Sequence, residues 1–179
     1  MKVIETELPG VLIIEPKVFG DSRGFFLETF QQDRYREIGI DLPFVQDNHS
    51  RSGYGVLRGL HFQKSRPQGK LVSATWGVVF DVVVDIDPQS PSCGKYVGVE
   101  LSDDNHRQMW IPPGYAHGFC VVSEMADFYY KCTNFYFADD EGGVIWNDPD
   151  IDIAWPVDVP KLSAKDKANS TLRELLAKG

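Results

Sequence analysis

Four histidines and three cysteines are all the imidazole and thiol that 179 residues contain. The cysteines, Cys93, Cys120 and Cys132, are odd in number and far apart, with no CxxC pair and no zinc-like spacing. That pattern argues against a disulfide scaffold or a zinc ribbon and predicts reduced thiols in a cytosol. Basic residues are also in deficit, 18 Lys and Arg against 26 Asp and Glu, for a net charge of -8. An acidic surface of this kind excludes general binding to nucleic acid or to an anionic membrane, yet leaves room for a small anionic ligand held by a local Arg and Lys cluster. No apolar run reaches membrane length, no basic-then-apolar leader opens the chain, and there is no internal repeat or low-complexity stretch. One domain over residues 1–179 is the expectation.

Aromatic residues are plentiful: 11 Phe, 7 Tyr and 4 Trp. Much of the chain reads as short strands rich in Val, Ile, Phe and Tyr between Gly, Pro, Asn and Asp: 11–15, 25–30, 70–76, 78–86, 96–101, 107–111, 117–122 and 127–137. Many short strands at close spacing predict a sandwich or barrel. QQDRYREIG (31–39) predicts a short helix ending at Gly39. Near the C-terminus, SAKD (163–166) has the form of a helix cap, and TLRELLAKG places Leu172, Leu175 and Leu176 on one helical face.

Two stretches carry chemistry. VLRGLHFQ (56–63) sets Arg58 and His61 in a strand-like run; His61 reads as a core residue, a metal ligand or a base. IPPGYAHGF (111–119) puts a rigid Pro-Pro-Gly turn ahead of His117, either a plain turn with a buried histidine or a barrel mouth aiming His117 inward. A metal-binding barrel of this kind needs three or four ligands, beginning with an HxH pair, but the residue two after His61 is Gln63. Strand alternation would put Arg58 and His61 on opposite faces unless the chain bends at Gly59.

Taken in order, EPKVFGDSRGFFLETF, FVQDNHS, VLRGLHFQ, QGKLV, VFDVVVDI, WIPPGYAHGF, YYKCTNFY, EGGVIWND and LSAKD resemble the dTDP-4-dehydrorhamnose 3,5-epimerase family over nearly the whole chain. The resemblance implies a mainly β fold, a cupin-type double-stranded β-helix or jelly-roll barrel with short peripheral and C-terminal helices, the latter in 162–177. It implies inversion of C3 and C5 beside the C4 ketone of dTDP-4-dehydro-6-deoxy-D-glucose, through an enolate, in dTDP-L-rhamnose biosynthesis, with no metal or nicotinamide cofactor. By the same resemblance His61 is the base and Asp166 its partner, Tyr130 is the acid, and Lys70 with Arg58 lies near the C4 oxygen and the phosphates. Gln46, Asp47, Asn48, His117, Glu141 and Lys165 line the ligand, and Tyr136 stacks on thymine with help from Phe135. Arg23 and Glu28 lie in an N-terminal arm, within 1–50, that reaches into the neighbouring subunit of a cytoplasmic homodimer, and Asp81 sits inward close to the dyad. Read without the family, Asp166 is a helix cap, Tyr130 a core or rim aromatic, and the charged residues solvated surface. Two other functions fit the same residues: a related epimerase inverting one carbon only, and a non-catalytic sugar-binding cupin.

Overall fold

The computed structural model describes residues 1–177. Within them lie thirteen strands: β1 (Lys2–Glu5), β2 (Leu12–Glu15), β3 (Val18–Asp21), β4 (Gly24–Leu27), β5 (Gln46–Gly53), β6 (Leu57–Gln63), β7 (Lys70–Trp76), β8 (Val78–Val84), β9 (Tyr96–Ser102), β10 (Gln108–Ile111), β11 (Ala116–Val121), β12 (Met125–Cys132) and β13 (Glu141–Gly143). Three short helices accompany them: α1 (Gln32–Glu37), α2 (Ala164–Lys167) and α3 (Leu172–Leu176). A six-stranded sheet, in the order β1-β2-β10-β7-β12-β5, packs on a five-stranded sheet, β13-β6-β11-β8-β9, while β3 and β4 form a separate hairpin. Strand pairing is antiparallel in both sheets. Two antiparallel sheets closed face to face are the cupin-type barrel.

Alternation along each strand decides what fills the interior. Val72 and Ala74 of β7, Val79 and Val83 of β8, Met109 and Ile111 of β10, Phe119 and Val121 of β11, and Phe128 of β12 make one buried cluster between the sheets. The outer face of the five-stranded sheet presents Leu60, Val82, Val84 and Ala116 to Ile151 and Leu172 of the C-terminal segment. Across the other sheet, Ile14, Leu71 and Trp110 are covered by Tyr35 of α1 and by Ile40. At one end of the barrel the inward row turns polar: Lys70 precedes Val72 on β7, Tyr130 follows Phe128 on β12, and His117 precedes Phe119 on β11. That end is the mouth of the cavity.

Three expectations from the sequence are corrected. The strand expected over 127–137 ends at Cys132, because Thr133 Oγ1 accepts from Gly69 N (2.8 Å) and Asn134 Oδ1 from Phe135 N (2.9 Å), so side chains replace the ladder. The strand expected over 25–30 ends at Leu27; the Thr29 carbonyl is taken by Tyr35 Oη (3.0 Å) and Gln108 Nε2 (2.7 Å). The helical segment expected over 162–177 is two short helices, parted where Ile145 N donates to Ser170 O at 2.9 Å. Lys178 and Gly179, which close TLRELLAKG, lie outside the described residues.

Asp148 pins the second of these helices. It is 1% exposed, and its carboxylate accepts from Asp150 N (2.8 Å), Ile151 N (3.3 Å) and Leu172 N (2.6 Å). Asp148→Ala strands these amides at a buried helix start and is expected to cost about 3 kcal/mol of stability, measured by urea unfolding against the parent chain.

Candidate active site

Gly59 answers the geometric question raised by the strand carrying Arg58 and His61. The pairing of β6 with β11 runs His117 to His61 but Phe119 to Arg58, so three steps on one strand oppose two on the other. This is a bulge, and its extra residue brings Arg58 and His61 to the same face. Gly59 sits at φ +138°, and a Cβ there would stand 2.5 Å from the Gly118 Cα and 3.0 Å from the His117 carbonyl oxygen. Only glycine meets both demands.

His61 Nε2 lies 2.5 Å from Asp166 Oδ1, and Ser163 Oγ donates to Asp166 Oδ2 at 2.8 Å. Burial would raise the Asp166 pKa, but the His61 and Ser163 hydrogen bonds outweigh it and hold the carboxyl below its ordinary range. Asp166 is therefore an ionised acceptor for a proton on Nε2, and Nδ1 is the ring nitrogen turned away from the carboxylate. The folded pKa is depressed, so the stability it contributes is full above about pH 4 and is lost as pH falls through the lower folded value. Asp166 also begins a helix, as its sequence context implies: its amide donates to Ser163 Oγ at 3.0 Å. The cap orients the carboxylate.

The cavity has two chambers of about 280 Å³ each, both lined by His61, Lys70 and Tyr130. The inner chamber adds Arg58, His117, Lys165 and Asp166; the outer adds Gln46, Asn48, Tyr136 and Glu141. Burial lowers the Lys70 pKa, with Cys132, Asp81 and Glu141 pulling it back up. Burial raises the Tyr130 phenol, partly offset by Arg58, so it holds its proton at neutral pH. Deeper in, His117 Nε2 meets Asp81 Oδ1 at 2.8 Å, and Asp81 Oδ2 is buried with no hydrogen-bond partner. Burial drives the pair away from charge, raising Asp81 and lowering His117.

At the outer rim, Tyr136 Oη donates to Glu141 Oε2 at 2.6 Å, and Lys165 Nζ is paired with the same oxygen. Burial opposes ionisation of Glu141, but Lys165 and Tyr136 together lower its pKa. Its Oε1 stands 3.9 Å from His61 Nδ1, so the rim and the dyad adjoin.

Four residues expected at a ligand, Asp47, Arg23, Glu28 and Phe135, do not line this chain's own cavity, and of these Arg23 and Glu28 were expected at the neighbouring subunit's. Strand alternation on β5 points Gln46 and Asn48 into the cavity and Asp47 out of the opposite face, where Lys131 Nζ holds it at 2.8 Å. Arg23 is bound to Asp21 and Glu28 to Arg34, both on the exposed N-terminal segment. Phe135 does not line either chamber and is 55% exposed. Conversely, Gln63, Gln68 and Ser163 line the cavity without having been singled out as ligand contacts. The only sequence signals for them were the HxH-spaced position of Gln63 and the cap pattern of Ser163. Among the described residues, no three His, Cys, Asp or Glu side chains gather as a metal-ligand set, and the three cysteines are free.

A cupin-type barrel whose cavity joins a carboxylate-oriented imidazole, a half-buried lysine and a protonated phenol is equipped as an epimerase, which is an isomerase. The family profile described as dTDP-4-dehydrorhamnose 3,5-epimerase matches residues 5–174. The enzyme of that name from Shigella flexneri is 58% identical over 93% of this chain and 93% of its own, and that from Salmonella typhimurium is 55% identical over 98% of each. The dTDP-6-deoxy-D-glucose-3,5-epimerase of Legionella pneumophila, solved in complex with dTDP-4-keto-L-rhamnose, superposes with a TM-score of 0.96 at 52% identity, covering 99% of this chain and 95% of that one. The chain belongs to the dTDP-4-dehydrorhamnose 3,5-epimerase family.

Proposed function

We propose that this chain inverts C3 and C5 of dTDP-4-dehydro-6-deoxy-D-glucose to give dTDP-4-dehydro-L-rhamnose, in dTDP-L-rhamnose biosynthesis. The observation that carries the reading is the contact of His61 Nε2 with Asp166 Oδ1, which turns Nδ1 away from the carboxylate, in a cavity shared with Lys70 and Tyr130. His61 Nδ1 removes the proton alpha to the C4 ketone, the imidazolium is stabilised by Asp166, the Lys70 ammonium holds the enolate oxygen, and Tyr130 returns a proton from the other face. No metal or nicotinamide enters these steps. Arg58, His117 and Lys165 supply cationic and polar contacts to the diphosphate and sugar, while Gln46, Asn48, Glu141 and Tyr136 hold the thymidine end.

The same proposal makes residues 1–179 one domain that works as a cytoplasmic homodimer with N-terminal arms exchanged. What supports the exchange is the β3–β4 hairpin, which leaves Phe19, Phe25 and Phe26 at 53%, 62% and 69% exposed. Arg23 and Glu28, which do not line this chain's own cavity, then serve the partner's. No described helix is long and apolar enough to cross a membrane.

Incubation with the 4-keto sugar nucleotide in heavy water tests the reaction. Deuterium at both C3 and C5 with a doubly inverted product is the expected result by NMR. No exchange at either carbon refutes an epimerase; exchange with inversion at C3 alone assigns the activity named for the 39%-identical Streptomyces niveus 3-epimerase. In the same assay, Tyr130→Phe is expected to lower product formation about a hundredfold while deuterium exchange falls far less, because proton removal survives loss of the acid.

A further inference from the structure

The segment that carries Phe135 and Tyr136 leaves β12 without a strand partner, yet its backbone is held by three carboxamides. Gln63 is 5% exposed; its Nε2 donates to Arg66 O at 2.6 Å and to Phe135 O at 3.1 Å, while its Oε1 accepts from Phe137 N at 2.7 Å. Gln46 Oε1 accepts from Tyr136 N at 2.9 Å, and Gln68 Nε2 donates to Asn134 O at 2.8 Å. Four successive residues are thus each fixed by a glutamine. Among these, Gln63 makes the largest contribution: it alone bonds the segment on both sides of Tyr136 and ties it to the 64–67 turn. A carboxamide suits this because one planar group both donates and accepts.

Burial does not order the segment, since Phe135 and Tyr136 are 55% and 51% exposed. Its backbone is ordered by these hydrogen bonds, while its side chains are tied down by the Tyr136 bond to Glu141 and by Phe137 under the Arg66 guanidinium. We infer that Gln63 is a positioning residue that presents Tyr136 preorganised for the nucleobase, so that little ordering entropy is lost when the nucleotide binds. The inference rests on the proposed dTDP-sugar substrate. It also gives a function to the position where an HxH metal pair would need its second imidazole: both Nε2 hydrogens and Oε1 are committed to backbone.

The test uses the full-length enzyme with Gln63→Met, which removes the three hydrogen bonds at similar length, and Gln63→Glu, which keeps an acceptor for Phe137 N but sets a carboxylate against two carbonyls. Loss of about 1.4 kcal/mol of preorganisation is tenfold in affinity. Both variants are expected to bind dTDP about tenfold more weakly by calorimetry, with KM for the sugar nucleotide rising in parallel and kcat within about twofold. Exchange of the Phe137 amide, followed by NMR without ligand, is expected to accelerate in Gln63→Met, which leaves that amide without its acceptor. Affinity and KM within twofold of the parent in Gln63→Met would overturn the inference. So would a fall in kcat as large as the rise in KM, which a general structural defect produces. A parent enzyme that fails to bind dTDP brings down the proposed substrate and this inference with it; a parent that binds while the variants match it removes only the role of Gln63.

Discussion

His61→Ala is expected to lower turnover by about three orders of magnitude and to abolish deuterium incorporation at C3 and C5 together. One imidazole serves both inversions in the proposed mechanism, so the two exchanges fall as one. The affinity for dTDP is expected to stay within about threefold, because the nucleotide contacts come from other strands. The variant removes more than a base. It leaves Asp166, which is 3% exposed, with Ser163 as its remaining side-chain partner. Asp166→Ala removes the carboxylate that, in the proposed mechanism, fixes the proton on Nε2 and leaves Nδ1 to act as the base. Because the two side chains act as a unit, the double variant is expected to be no slower than His61→Ala alone. Turnover of His61→Ala within tenfold of the parent, or additive losses in the double variant, would show that the base is another residue.

The sequence made the strands of the apolar interior legible, since runs such as 78–86 alternate or saturate with β-branched residues. It did not reveal β5. QDNHSRSG carries almost no strand propensity, and it is a strand because β12 pairs with it residue by residue from Cys132 to Met125. The same hidden pairing decided the fate of Asp47: once β5 is known to be a strand, Asp47 must face away from Gln46 and Asn48, and Lys131, directly opposite, captures it. Asp166 illustrates the reverse case. Its local pattern is that of a helix start, which the structure bears out, and nothing within ten residues points to a histidine 105 positions earlier. Such a contact is set by how the C-terminal segment packs over β6, so only the family pattern gave it in advance. The bulge at Gly59 was legible as a possibility and needed the β11 register to become a fact.

Lys70→Met is expected to move activity and stability in opposite directions. Lys70 stands at the start of β7, on the inward row that continues with Val72, and lines both chambers of the cavity. The side chain is half-buried, and desolvation holds its pKa below the ordinary 10.5. In the proposed mechanism the lysine is already in place where a negative oxygen forms at C4, so it can stabilise that charge without reorganisation at the moment of reaction. Removing it is expected to cost about two to three orders of magnitude in kcat, seen equally in the exchange rates at C3 and C5, because the enolate oxygen is common to both. Lys70→Arg is expected to rescue little, since a planar fork does not occupy the space of a compact ammonium. The stability consequence follows from the same shift. A lysine whose folded pKa is lowered binds fewer protons folded than unfolded, so it disfavours folding at neutral pH and stability recovers as pH rises toward 10.5. Methionine has nearly the same shape and no charge to desolvate, so Lys70→Met is expected to unfold at an equal or higher urea midpoint and to lose that alkaline gain. A slow variant that is also less stable would mean that Lys70 supports the fold through its attraction to Asp81 and Glu141, and that its place in the cavity is structural.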